Sequence, residues 1–342
     1  MNRRTILGGI PFLPFLDFKN MLHQKKSTSV KPVRLRDGDT IALVAPSGPV
    51  PEKTIEKALQ TLQKLGYKVK MGDFVRERNG YFAGTDAQRA ADLNAAFADK
   101  NVNAVWCLRG GYGATRVLPL LDFEVIKKNP KIFIGYSDIT AFHTAFSQRT
   151  GLVCFHGPVG SLEYSDFTGN HVWNVLKNPT PQYLLQNATE NIENANNLYK
   201  IKTIRSGKAR GKLIGGNLTL LAAMTGTPFA LKNLKGKILF IEDIEEQPYR
   251  IDAMLTQLMR NLDLNQCAGL ALGIFAGCNP KGDDFSSTLM ECLEDKFKNL
   301  TIPIVYGLSF GHISHQFTLP VGIEATLDAD KATLTLEETA VL

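Results

Sequence analysis

The sequence predicts an α/β fold in two domains, an N-terminal parallel-sheet domain carrying a serine elbow and a C-terminal α/β domain, with a site at their junction. Three observations carry this. Apolar runs of strand length alternate with helical spacing through the first half; an asparagine-rich polar segment at 187–197 interrupts the pattern; glycine-bounded apolar runs then resume. The 342 residues, 44% of them hydrophobic, suffice for two domains of ordinary size. The expected divisions are a leader at 1–31, an N-terminal domain at 32–165, a linker at 166–207 and a C-terminal domain at 208–342.

The leader stands apart by charge. Arg3, Arg4, Lys19, Lys25, Lys26 and Lys31, against Asp17 alone, supply most of the net charge of +6. The body is close to neutral, which disfavours a nucleic-acid partner. Asn2-Arg-Arg-Thr-Ile-Leu7, leading into an apolar run to Leu16, reads as a twin-arginine export signal. Pro11 and Pro14 inside the run, and no A-x-A cleavage site after it, stand against this, and a disordered or loosely packed arm is the alternative. The run is too short to span a bilayer, and no later stretch reaches that length.

The body opens with an apolar strand from Thr40 to a Pro46-Ser47 end, a helix over 51–65 with Ile55, Leu59 and Leu62 on one face, and a strand at 67–71. Thr85-Asp86 caps a helix to about Asp99, and a third strand at 102–108 runs into Arg109-Gly-Gly-Tyr-Gly113. A fourth strand, 132–134, ends at Gly135-Tyr-Ser-Asp138, followed by a helix with Ile139, Phe142 and Phe146 on one face; a fifth ends at His156-Gly-Pro158. The second domain begins near Lys208 and runs through Gly215-Gly-Asn217 into a small-residue helix. A strand follows at 236–242, ending in Glu242, Asp243, Glu245 and Glu246, and Pro248 opens the next helix. A strand at 270–276, a helix at 285–297 and a strand at 302–305 lead into a glycine-flanked loop holding His312 and His315, and a terminal strand pair closes the chain from Gly322. In such alternating folds, sites form at the carboxyl ends of the strands.

Four loops at strand ends carry candidate chemistry. Ser137 at a strand-to-helix turn is placed as a nucleophile is, next to unpaired helix-opening N–H groups; an ordinary helix cap by Ser137 or Asp138 is the competing account. The glycines at 110, 111 and 113 let backbone approach an anion, and the loop lacks the remaining signature of a dinucleotide or Walker loop; a tight structural turn is the alternative. The four acids offer a triad carboxylate, a solvated loop or oxygen ligands for a divalent metal. His312, restrained by Gly311, suits a positioned catalytic role better than the weak H-x-x-H metal signal suits zinc. His156 is held in reserve as a structural histidine. The five cysteines are odd in number with no C-x-x-C pair, which gives neither a disulfide framework nor a zinc site. Serine, carboxylate and histidine are together the parts of a triad.

Arg109-Gly-Gly-Tyr-Gly113, Gly135-Tyr-Ser-Asp138, His156-Gly-Pro158, Gly215-Gly-Asn-Leu218, Ile241-Glu-Asp-Ile-Glu-Glu-Gln-Pro-Tyr-Arg250 with Asp252, and Gly311-His312 with Thr318-Leu-Pro-Val-Gly322 together resemble the LD-carboxypeptidases, the muramoyl-tetrapeptide carboxypeptidases that share a family with the microcin-immunity amidases. The resemblance runs from about Pro32 to Asp328. It implies a Ser137, Glu242, His312 triad, an oxyanion hole from the Gly110-Gly111 backbone and the Asp138 N–H, and substrate contacts from Arg109 and Asn217. It also implies a metal-independent, cofactor-free serine peptidase, often a homodimer, that cuts murein tetrapeptide between the diamino acid and the terminal D-alanine. An amidase acting on a peptidyl-nucleotide is the alternative. The leader departs from the family pattern: with a working export signal the enzyme is periplasmic, without one cytoplasmic.

Overall fold

A computed structural model describes residues 29–160, 164–282 and 286–342. The twin-arginine-like stretch lies outside the described residues. The last three residues assigned to the leader belong to the body: Val30 bridges Leu152, Ser29 Oγ donates to Gly322 O at 2.6 Å, and Lys31 pairs with Glu338 at 2.7 Å.

Among the described residues fourteen strands form two sheets. The first contains β1 (Thr40–Val44), β2 (Lys68–Met71), β3 (Ala104–Cys107), β4 (Ile132–Gly135) and β5 (Cys154–His156), all parallel, in the order β5-β4-β3-β1-β2. Strands β3, β4 and β5 are buried along their whole length because helices or the second sheet cover both faces, so they read as unbroken apolar runs. The order reverses at β1, whose successor lies on one side and β3 on the other. Loops leaving β1 and β3 diverge there and open a crevice at the carboxyl ends. Helix Glu52–Lys64 covers one face with Ile55, Ala58 and Leu62, and helix Asp86–Ala98 is fixed by a capping box between Thr85 and Gln88.

The second sheet is mixed. It holds β6 (Tyr183–Leu185), β7 (Lys202–Arg205), β8 (Lys208–Asn217), β9 (Lys237–Glu242), β10 (Gly269–Leu272), β11 (Ile304–Tyr306), β13 (Glu324–Asp328) and β14 (Thr333–Leu336). Strands β8 to β11 are parallel neighbours, flanked by antiparallel β7 on one side and by β13, β14 and β6 on the other. The remaining strand, β12 (Leu319–Val321), returns to the first sheet and pairs antiparallel with β5, so the segment after His312 stitches the sheets together. One apolar cluster runs through both, including Trp106, Phe155, Phe240, Phe310 and Phe317.

The expected linker at 166–207 is corrected. It holds helix Asp166–Leu176, which buries Val172, Val175 and Leu176, and both edge strands of the second sheet. Edge strands of three and four residues carry too little periodicity to stand out, because their partners rather than their own pattern fix them. The helix expected over 285–297 is Leu289–Phe297, capped by Thr288 and Glu291; Phe285 lies outside the described residues. Among the described residues no helix is long and apolar enough to cross a membrane.

Candidate active site

Ser137 follows β4 by two residues and has φ 66°, one of four non-glycine residues with positive φ among the described residues. A left-handed backbone at a serine costs on the order of 1–3 kcal/mol and persists only where the surroundings impose it. The capping account fails on geometry: the turn Ser137–Ile139 is entered through Tyr136 and helix Thr140–Thr150 through Ile139, neither with a side-chain cap. Ser137 is half-buried, and its Oγ has no hydrogen-bond partner among the described residues.

The glycine loop is pressed against this turn. A Cβ on Gly110 would lie 2.9 Å from Ser137 Cβ and 3.2 Å from its Oγ, so only glycine leaves the hydroxyl clear. Gly48, after β1, donates its N–H to Gly110 O at 3.0 Å, and Gly111 adopts φ 112°. Two buried side chains that sequence reasoning missed hold the loop. The Asp138 carboxylate accepts the Ala114 N–H at 2.8 Å; burial pushes its pKa up, and the Ala114 bond and the Arg89 charge pull it back in part. Arg89, which is 1% exposed, donates to Pro46 O at 2.8 Å and Gly113 O at 3.0 Å and pairs with Asp86. The helix face pattern gave no hint that Arg89 points inward.

Glu242 ends β9 wholly buried, and its Oε2 lies 2.7 Å from His312 Nδ1. Gly311, at φ 120°, permits this contact: a Cβ there would meet Ile274 O at 2.8 Å and Glu242 Oε2 at 3.2 Å. Burial alone would push the Glu242 carboxyl up. The His312 charge and hydrogen bond outweigh it and hold the carboxyl below its ordinary range. For His312 burial pushes down, but Glu242 outweighs it and the imidazole is raised. Tyr136, the neighbour of Ser137, packs its ring edge-on against His312 at 4.7 Å between centroids, which brings the elbow and the Glu242–His312 pair to one place.

The other expected residues divide. Arg109 is exposed and donates Nη1 to Pro49 O at 3.0 Å. Asn217, expected as a substrate contact, is bonded from within the protein. It is 3% exposed; its Nδ2 donates to Asp243 Oδ1 at 3.0 Å, its Oδ1 accepts from Leu220 N at 3.3 Å, and its N–H donates to Thr140 Oγ1 at 2.9 Å. Asp243, buried beside it and also accepting from Thr219 and Ile244, is pushed up to about 6 by burial and the Glu242 charge. The acid cluster therefore does not converge on one point: Glu242 faces His312, Asp243 faces Asn217 and Glu246 pairs with Arg250. Among the described residues no group of three or more His, Cys, Asp or Glu is arranged to hold a metal. His315 lies apart, 3.8 Å from Glu190. His156 is fully buried and pushed down to about 4 by burial, so it is neutral. A cavity of about 270 Å³ opens beside Tyr136 and His312, walled by Tyr164, Thr168, Tyr199 and Gln316. Thr168 and Tyr199 come from the expected linker, Tyr164 from the end of the expected N-terminal domain and Gln316 from β12's approach, where no motif marked them.

The chain matches the LD-carboxypeptidase N-terminal domain over residues 41–157 and the LD-carboxypeptidase C-terminal domain over residues 210–327. It belongs to the LD-carboxypeptidase family. A Bacillus subtilis relative named as a probable murein peptide carboxypeptidase is 40% identical over 91% of this chain and 95% of its own length. The murein tetrapeptide carboxypeptidase of Pseudomonas aeruginosa is 33% identical over 85% of this chain and 94% of its own. Among solved structures, the muramoyltetrapeptide carboxypeptidase from Oxalobacter formigenes superimposes with TM-score 0.74 at 34% identity, covering 87% of this chain and 99% of that one. The microcin C7 self-immunity protein MccF superimposes with TM-score 0.82 at 25% identity, covering 92% and 100%. The two-domain α/β architecture is thus that of its family, and the family's chemistry is serine-type peptidase chemistry.

Proposed function

We propose that this family member is a serine LD-carboxypeptidase that removes the terminal D-alanine from murein tetrapeptides. The observation that carries the reading is the buried 2.7 Å contact of Glu242 with His312 Nδ1. It fixes the tautomer that leaves Nε2 free to accept a proton, and stabilises the imidazolium once formed.

On this reading Ser137 Oγ attacks the carbonyl of the diamino acid while His312 Nε2 takes its proton. The negative charge on the carbonyl oxygen is met by the N–H of Asp138 and by an N–H of the Gly110-Gly111 loop. His312 then protonates the leaving amine, D-alanine departs, and a water activated by the same histidine hydrolyses the ester on Ser137. The positive φ at Ser137, the glycine pressed on its hydroxyl and the half-buried position support this role. The contact that the reading adds is the one from Ser137 Oγ to His312, formed as substrate is seated.

The test is D-alanine release from the tetrapeptide. Wild-type protein is expected to release it in the presence of EDTA, and Ser137→Ala to lose it by about 10⁶-fold with an unchanged circular dichroism spectrum. An active Ser137→Ala protein sinks the proposal. The fold similarity to MccF favours one second reading, an amidase acting on an aminoacyl sulfamoyl nucleoside. Hydrolysis of that compound by a protein that leaves the tetrapeptide intact would select it. A homodimer, the family expectation, is checked by sedimentation.

A further inference from the structure

A second cavity, of about 590 Å³, is lined by the glycine loop itself at Arg109, Gly111 and Tyr112, and the reading above does not use it. Gly111 and Gly48 form its floor, the same backbone that holds Gly110 against Ser137. Its walls carry Arg78 and Arg109 together with Tyr81 and Tyr112, and no acidic residue lines it. The only hydrogen bonds of the two guanidiniums among the described residues are to backbone carbonyls, Arg78 Nε to Gly80 O at 3.4 Å and Arg109 Nη1 to Pro49 O at 3.0 Å. The tyrosine rings are 65% and 55% exposed and stand 5.8 Å apart, with Phe82 stacked behind Tyr112 at 5.7 Å. Arg89 and Arg116 in turn cover Phe82 from 4.9 Å, so the wall is braced from below.

Two exposed aromatic rings beside two arginines without carboxylate partners form a surface with an unmet charge preference. Guanidinium forks recognise carboxylates through paired N–H bonds. The direction of the chemistry assigns the two cavities. His312 must give its proton to the leaving amine, so D-alanine departs on the His312 side, where the smaller cavity of about 270 Å³ lies. The acyl portion, which carries the rest of the peptide, extends away from His312. The larger cavity shares no lining residue with the smaller one.

We propose that the Arg78–Arg109 cavity is the subsite for the acyl arm of the substrate and that its arginines read a free carboxylate upstream of the scissile amide. In a murein peptide that group is the α-carboxylate of the glutamate joined through its side chain. The assignment rests on the carboxypeptidase reading, and makes the enzyme selective for peptides in which that carboxylate is not amidated.

The test compares kcat/KM for D-alanine release from three tetrapeptides: one with the glutamyl carboxylate free, one with it amidated, and one with the C-terminal carboxylate amidated. Wild type is expected to prefer the free glutamyl carboxylate over its amide by roughly tenfold or more, mostly through KM. In Arg78→Met and Arg109→Met that preference collapses toward unity, while the preference against the C-terminal amide stays. Both side chains are exposed, so both variants fold; melting temperatures check this. An undiminished glutamyl preference in both variants overturns the proposal. Collapse of the C-terminal preference instead overturns it too, because the arginines would then hold the leaving D-alanine. If wild type releases no D-alanine from any of the three, the carboxypeptidase reading itself fails, a result distinct from either.

Discussion

Ser137 sits at the end of a strand in a backbone conformation that its own side chain does nothing to stabilise, whereas Glu242 and His312, 70 residues apart, are held by a contact between their side chains. The first is imposed from outside: Asp138 anchors Ala114, Arg89 grips Pro46 and Gly113, and Gly110 leaves just enough space. The second is a buried charge pair whose two pKa values move apart, the carboxyl down and the imidazole up. One half of the site is thus a matter of steric fit, the other of electrostatics. Substitutions in the two halves should therefore fail in different ways.

After Ser137→Ala, the largest effect is expected from Glu242→Gln. Loss of the carboxylate removes what holds and charges His312, and kcat should fall by about 10⁴-fold. The pH profile carries the sign. His312 must be neutral to act as base, and Glu242 raises its pKa above the ordinary 6.5, so the acidic limb of wild-type kcat/KM should lie above that value. In Glu242→Gln burial is opposed only by the smaller pulls of Asp243 and Glu245, and the residual activity should show the limb displaced to lower pH. A limb that does not move would separate His312 from Glu242 functionally.

Next comes Gly110→Ala, whose methyl would press on the Ser137 hydroxyl. A misplacement of this kind is worth about 10²-fold in kcat, and here the pH limb should stay where it is in wild type. Displacement of the limb would mean that the steric and electrostatic halves are not separable. Arg89→Met should act mainly on stability. It strips the buried hydrogen bonds to Pro46 and Gly113 and leaves the Asp86–Arg116 pair in place, a loss of about 3 kcal/mol in a urea denaturation curve. The smallest effect is expected from Asn217→Ala, about 1 kcal/mol from the lost helix cap. Its activity loss should appear in kcat rather than KM, because the side chain supports Asp243 and the end of β9 instead of reaching solvent. A loss confined to KM would restore Asn217 as a substrate contact.

The steric half was largely legible in the sequence. Strands β1, β3, β4 and β5 are largely apolar runs ending in glycine, proline or polar turns, and a serine after such a run stands out by position alone. Gly110 and Gly311 also stood out, but what each glycine makes room for is visible only in three dimensions. The electrostatic half was less legible. Glu242 could be picked as the first acid after an apolar strand, yet the parting of Glu242, Asp243 and Glu246 toward three different partners depends on segments far away in the chain. Arg89 and Asp138 were missed as supports because a charged residue on a helix face or in a turn looks solvated until its packing is known. The expected linker failed for the opposite reason. Its edge strands, Tyr183–Leu185 and Lys202–Arg205, are too short to show a period, and partner strands complete them. The Thr168 and Tyr199 walls of the cavity lie in that same stretch.

The most direct measurement of the central claim is covalent labelling of the protein by a serine-reactive phosphonate, read by intact mass and peptide mapping. The account predicts one adduct, on Ser137, absent from Ser137→Ala and formed far more slowly in Glu242→Gln. An adduct on another residue, or labelling of Ser137 at the same rate without Glu242, would contradict it.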